Sequence, residues 1–136
     1  MDKIDREIIR ILKRNGRATY SEIGKRVGLS EGAVRKRIKE LIDSGVIKKF
    51  TIKLGLEEGT EAITLISVKP SLPTSNISNL LLKIPNIESV YEITGEYDIG
   101  VIISAMNIAE VNDCIERIRG IDGVVNTNTM IVLRSW

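Results

Sequence analysis

Gly32, Arg35, Lys36 and Lys39 fall on one side of a helix, at about 100° per residue, with Val34, Ile38 and Leu41 on the other. Cations opposite an apolar stripe suit a polyanion: Lys and Arg neutralise phosphates, and an Arg fork can read guanine edges. Ser30 precedes the stretch as an N-cap. Gly32 and Ala33 are small, which allows close approach to a surface, and Arg37 sits on the flank. A solvated basic helix face has the same pattern, so the surrounding elements must decide.

A second constellation comprises Gly95, Tyr97 and Asp98 with Thr127 and Thr129. Asp98 offers an acceptor for an ammonium group. Backbone N–H groups around Gly95 can approach a carboxylate, because no Cβ stands in the way. Thr127 and Thr129 are two apart in an extended run and so present hydroxyls to the same side. These groups could serve a polar ligand. A plainer reading stays open: Asp98 caps a hairpin, Gly95-Glu96 is a tight turn, residues 126–129 are a solvated strand, and Tyr97 is packing.

Much other chemistry is excluded. The 136 residues contain no His, which removes His-based acid–base catalysis and imidazole metal sites, and the single Cys allows no internal disulfide or cysteine cluster. Cys114 shares a helical stripe with Val111 and Ile118 and reads as a buried apolar thiol. There is no nucleophile–base pair and no phosphate loop. Catalysis, a metal and a cofactor are therefore not expected. The scarcity of cysteine suits a reducing compartment, hence the cytoplasm. Charges from Asp2 onward do not resemble a signal peptide, and the apolar run from Ile99 to Met106 is too short to span a bilayer. No Gln and 23 Ile lean towards a thermophile.

The net charge of +2 hides an asymmetry. Residues 1–55 carry 15 Lys/Arg against 7 Asp/Glu, a net of +8, whereas residues 56–136 carry a net of −6. That split predicts a basic module over 1–54, a hinge over 55–60, and an acidic module over 61–136. In the first, Ile4, Ile8, Ile11 and Leu12 predict a helix over about 2–14, stopped by Asn15-Gly16. Thr19 and Glu22 form a capping-box pattern for a helix over 20–27, with Ile23 and Val27 inward. Gly28 then permits a tight turn. The next helix, 31–43, is expected to bury Val34, Ile38, Leu41 and Ile42 and to end at Gly45. Val46 to Leu54 reads as an extended stretch. Two short helices joined by a Gly turn and braced by a third make a helix-turn-helix.

In the second module, strand patterns at 62–68, 90–94, 97–105 and 124–134 alternate with helical patterns ending near Ile84 and at Arg119. The order is β-α-β-β-α-β, the ferredoxin-like pattern, so the fold class is α+β. Helices cover one sheet face only. The other is expected to be buried by a second copy, giving a homodimer with two helix-turn-helix units.

These residues resemble the Lrp/AsnC (leucine-responsive, feast/famine) family of transcription regulators over essentially the whole chain. Asp2-x-x-Asp5-x-x-Ile8-Ile9-x-x-Leu12, Gly16-Arg17-x-Thr19, Val27-Gly28-Leu29-Ser30, Val34-x-x-Arg37-Ile38-x-x-Leu41 and Gly45-Val46-Ile47 are similar to its N-terminal half. Gly95-Glu96-Tyr97-Asp98 is similar to its ligand-domain loop. The resemblance implies a winged helix-turn-helix followed by a RAM-type βαββαβ domain that senses amino acids. It implies dimers assembling into tetramers or octamers, with the effector held between dimers against the Gly95–Asp98 loop and the last strand. The recognition helix would be Ser30–Lys39, with Ser30, Gly32, Ala33, Arg35, Lys36, Arg37 and Lys39 at the DNA. A sequence-specific regulator on a pseudo-palindromic duplex is the leading reading. An architectural DNA binder without an effector is the alternative. Some proteins resembling this fold decarboxylate a haem precursor, but those would be expected to use His, which is lacking here.

Overall fold

The computed structural model describes residues 1–54 and 58–136. They form two compact units, Met1–Leu54 and Gly55–Trp136. The hinge expected over 55–60 lies partly outside the described residues, and Thr60 already opens a strand.

The first unit holds α1 (Lys3–Arg14), α2 (Tyr20–Val27) and α3 (Glu31–Asp43). All three start on side-chain caps. The Asp5 N–H donates to Asp2 Oδ1 and the Asp2 N–H to Asp5 Oδ2. Thr19 and Glu22 form the same reciprocal box, and Ser30 Oγ accepts from the Ala33 N–H. Each cap satisfies backbone donors that a helix start leaves unpaired. At eight residues α2 is well short of the ~12–15 at which an isolated helix becomes even marginal. Packing therefore holds it: Ile8, Ile11, Ile23, Val34 and Ile38 form the buried core of this unit.

One expectation fails here. Ile42 is 44% exposed rather than buried, because it lies too far round α3 from the Val34/Ile38/Leu41 stripe. The stretch read as extended, Val46 to Leu54, pairs with no other strand among the described residues, and Phe50, Ile52 and Leu54 are all more than half exposed. Apolar alternation specifies a strand only where another edge accepts its backbone bonds.

The second unit runs β1 (Thr60–Val68), α4 (Thr74–Leu81), β2 (Ile87–Glu92), β3 (Ile99–Ala105), α5 (Ile108–Arg119) and β4 (Val124–Ile131). The antiparallel sheet has the order β2-β3-β1-β4. Ala62 and Ile66 of β1 and Ile99, Val101 and Ile103 of β3 face the helices and pack against Ile77, Leu81, Val111, Cys114 and Ile118. Leu80 lies outside that core, 46% exposed. The final strand stops at Ile131 rather than 134, and β3 starts at Ile99, leaving Tyr97 and Asp98 in the loop before it. The opposite sheet face carries Ile63, Leu65, Ile102, Tyr91 and Met130, none of them fully buried.

Candidate nucleic-acid interface and effector site

A turn positions α3. Gly28 closes α2 with φ +75°, and both its N–H and that of Leu29 donate to the Gly24 carbonyl at 2.8 and 3.0 Å. The returning chain passes so close to Gly24 that a Cβ there would lie 2.4 Å from the Leu29 carbonyl oxygen. Gly24 was not singled out from the sequence. Its signal was a glycine inside a helix, which costs about 1 kcal/mol against Ala unless packing demands it.

The outer face of α3 carries Gly32, Arg35, Lys36 and Lys39, all exposed. Space around Gly32 is open: an added Cβ would meet nothing within 4 Å. The Arg35 guanidinium lies 5.3 Å from the Tyr20 ring centroid, a cation–π arrangement with the start of α2. Lys39 Nζ donates to Asp43 Oδ2 at 2.6 Å, and that carboxylate pushes the Lys39 pKa up. Ser30 spends its hydroxyl on the cap, and Ala33 is half-buried.

Arg37 points elsewhere. Its Nη1 donates to Asp2 Oδ2 at 2.7 Å and to Asp5 Oδ1 at 3.0 Å. These are the two oxygens the α1 capping box leaves over. The Asp5 backbone N–H, and then Arg37, hold the Asp2 carboxyl at about 2. The Asp2 and Asp5 carboxylates in turn push the Arg37 pKa up.

In the second unit the Asp98 N–H donates to the Ile66 carbonyl, and its own carbonyl accepts from the Ile93 N–H, both at 2.9 Å. Asp98 Oδ2 accepts from the Val68 N–H at 2.9 Å, beside the irregularity where β1 and β4 lose register. Asp98 thus ties its loop to the end of β1 and keeps one carboxylate oxygen outside that bond. Gly95 tops the loop with φ +108° and open space where a Cβ would be. Tyr97 is half-buried.

Thr127 and Thr129 pair with Ile66 and Thr64 and share their face, the helix-covered one. The hydroxyls of Thr129 and buried Thr64 lie 2.9 Å apart, hydrogen-bonded to each other. Thr127 borders a polar concavity of about 420 Å³ with Arg119, Val124, Val125 and Asn126. Asp98 and Thr127 therefore reach the same end of the sheet from opposite sides of β1, Thr129 sits one pair further along, and Gly95 and Tyr97 stand in the Asp98 loop.

Among the described residues no three of His, Cys, Asp and Glu converge as a metal would require. Cys114 is buried, and burial raises its thiol pKa. No described helix is long and apolar enough to cross a membrane.

Residues 1–48 match the family model described as winged helix-turn-helix DNA-binding, and residues 61–136 match the Lrp/AsnC ligand binding domain. The chain is 48% identical over 136 residues to the HTH-type transcriptional regulator LysM of Saccharolobus solfataricus, covering 100% of this chain and 96% of LysM. It is 42% identical over 137 residues to the regulator FL11 of Pyrococcus furiosus, covering 98% and 90%. Both relatives come from thermophilic archaea. Its fold matches the leucine response regulatory protein LrpA of Mycobacterium tuberculosis with a TM-score of 0.85 at 30% identity, covering 100% and 94%. It also matches a feast or famine regulatory protein of M. tuberculosis complexed with L-methionine, with a TM-score of 0.80 at 31% identity, covering 99% and 93%.

Proposed function

The chain belongs to the Lrp/AsnC family of DNA-binding transcriptional regulators, and from that premise we propose that an amino acid held between dimers controls its DNA binding or its assembly. The observation that carries the DNA half is the outer face of α3, where Arg35, Lys36 and Lys39 surround the open site at Gly32 beyond a tight Gly28 turn. That face suits a major groove, with small residues leading and cations following. Ser30 caps the helix, Ala33 backs it and Arg37 braces it. A homodimer, its apolar sheet face covered by a second copy, supplies two such helices for a pseudo-palindromic duplex. Half-sites would lie about one helical turn, or a multiple, apart. Further assembly to tetramers or octamers would bring the loops of neighbouring dimers together. The protein acts in the cytoplasm as a regulator and not as an enzyme.

Support for the effector comes from the matched ligand-binding domain and from a structural relative complexed with L-methionine. In this chain Asp98 offers an acceptor to an ammonium group and the N–H groups around Gly95 offer donors to a carboxylate, with Tyr97 as a wall. Thr127 supplies a further hydroxyl.

One observation favours an architectural DNA binder instead. Asp98 Oδ2 and the Thr129 hydroxyl are already bonded within the chain. A thermal-shift screen against the twenty amino acids separates the readings. A ligand at about 100 times its Kd stabilises by roughly 2.7 kcal/mol, a shift of several degrees. A flat screen would sink the amino-acid reading and leave the architectural one.

A further inference from the structure

The three residues that join α1 to α3 use each carboxylate oxygen once. Asp2 Oδ1 and Asp5 Oδ2 accept the backbone donors of the α1 start, and Asp2 Oδ2 and Asp5 Oδ1 both accept from Arg37 Nη1. The side chain of Asp5 is only 16% exposed and that of Arg37 28%. A cation in the middle of the outer helix is thereby fastened to the first turn of the supporting one, across 32 and 35 residues of chain. Each acid meets a helix N-terminus and a guanidinium at once, so each carboxylate bridges two donors from different elements.

We propose that Arg37, with Asp2 and Asp5, is a positioning residue that fixes the orientation of α3 for DNA and does not itself contact DNA. The proposal rests on α3 being the helix that meets DNA. Freed from the network, α3 would be correctly placed for only part of the time, and apparent affinity falls by that fraction. The residues at the duplex would then be Arg35, Lys36 and Lys39.

Removing an acid from a basic module gives this its sharpest test. On electrostatics alone, Asp5→Asn takes negative charge away from a polyanion-binding unit and tightens binding. If Asp5 positions α3 through Arg37, the same substitution weakens it. Asn at this position keeps an oxygen for the Asp2 N–H, so the α1 cap survives. The probe is a duplex selected by the wild-type chain from a random-sequence pool, bound by the full chain across a salt series. Circular dichroism melts establish that every variant is folded at the assay temperature.

Asp5→Asn and Arg37→Ala should each bind at least about threefold more weakly, and the double variant no more weakly than the worse single one. Arg37→Ala should keep the wild-type dependence of log affinity on log salt. Tighter binding by Asp5→Asn would overturn the proposal. So would a slope reduced by about 0.9 for each bound α3 in Arg37→Ala, the signature of one lost phosphate contact per helix. Arg35→Ala and Lys36→Ala report separately on α3. If they bind like wild type, α3 is not the DNA-facing helix and the proposal falls with that reading.

Discussion

Gly24→Ala is a one-carbon change whose effect follows from a single distance. The added Cβ would lie 2.4 Å from the Leu29 carbonyl oxygen, so the carbonyl must retreat by at least about 0.6 Å to reach 3.0 Å, the shortest separation real Cβ atoms tolerate. The obstacle is backbone, and no rotamer change relieves it. Retreat also strains the Gly28 and Leu29 N–H bonds to the Gly24 carbonyl, the bonds that form the turn. Overpacking of this kind costs about 3 kcal/mol at the upper end of its usual range. The better helix propensity of Ala returns about 1 kcal/mol, leaving a net loss near 2 kcal/mol. For a unit of this size that is a fall of order 10 °C in Tm. Gly32→Ala is the control on the neighbouring helix: its Cβ enters open space, so it should stabilise by up to about 1 kcal/mol while weakening DNA binding by crowding the approach. Hydrogen exchange on the full chain, read at the α2 and α3 amides, measures both. Unchanged exchange in Gly24→Ala would refute the close approach from which the whole estimate is drawn.

Asp2 makes the first unit sensitive to acid. Its carboxyl titrates at about 2 in the fold against 3.8 ordinarily, so its contribution is complete above about 4 and is lost as pH falls through 2. Carboxyl NMR should show that Arg37→Ala raises this pKa only part of the way back, since the Asp5 N–H is the larger cause. Asp98→Ala strands the Val68 N–H, which should cost about 1–3 kcal/mol, while Asp98→Asn keeps an acceptor and most of the stability. Thermal melts decide this, and equal losses in both would show that the bond is unimportant. If Asp98 also receives an amino acid's ammonium group, Asp98→Asn should lose the ligand's thermal shift while staying folded.

Local chemistry made the helices of the first unit legible. Thr19 with Glu22, Ser30 before a periodic run, and Gly28 after Val27 each specify a helix end within a few residues, and the helix boundaries fall there. Strands were legible by composition but not by limit. Tyr97 and Asp98 look like the start of β3, yet the hydrogen bonds of Asp98 tie it to β1 before the ladder begins. Thr127 and Thr129 share a side, as an extended run requires, but only pairing shows that this side is the helix-covered one and that Thr64 holds the Thr129 hydroxyl. Gly24 was illegible in role because its reason, the Leu29 carbonyl, depends on the path of the turn.

Arg37 shows the same limit for charge. A helical wheel puts it on the flank of α3, where it counts as one more cation for DNA, but Asp2 and Asp5 on α1 take it up. If Arg37 stays with them on DNA, charge read from sequence overstates charge available to a polyanion. Four cations on α3 would contribute about −3.6 to the slope of log affinity against log salt, at about −0.9 for each neutralised phosphate. With Arg37 withdrawn, the contribution falls to about −2.7 per helix. Lys39 still counts, because its bond to Asp43 is an exposed pair, of the kind worth at most about 1 kcal/mol and readily exchanged for a phosphate. Replacing Arg35, Lys36 and Lys39 together by Ala should remove that whole contribution. A residual salt dependence that vanishes only when Arg37 is also replaced would mean that Arg37 leaves its carboxylates for the phosphate backbone.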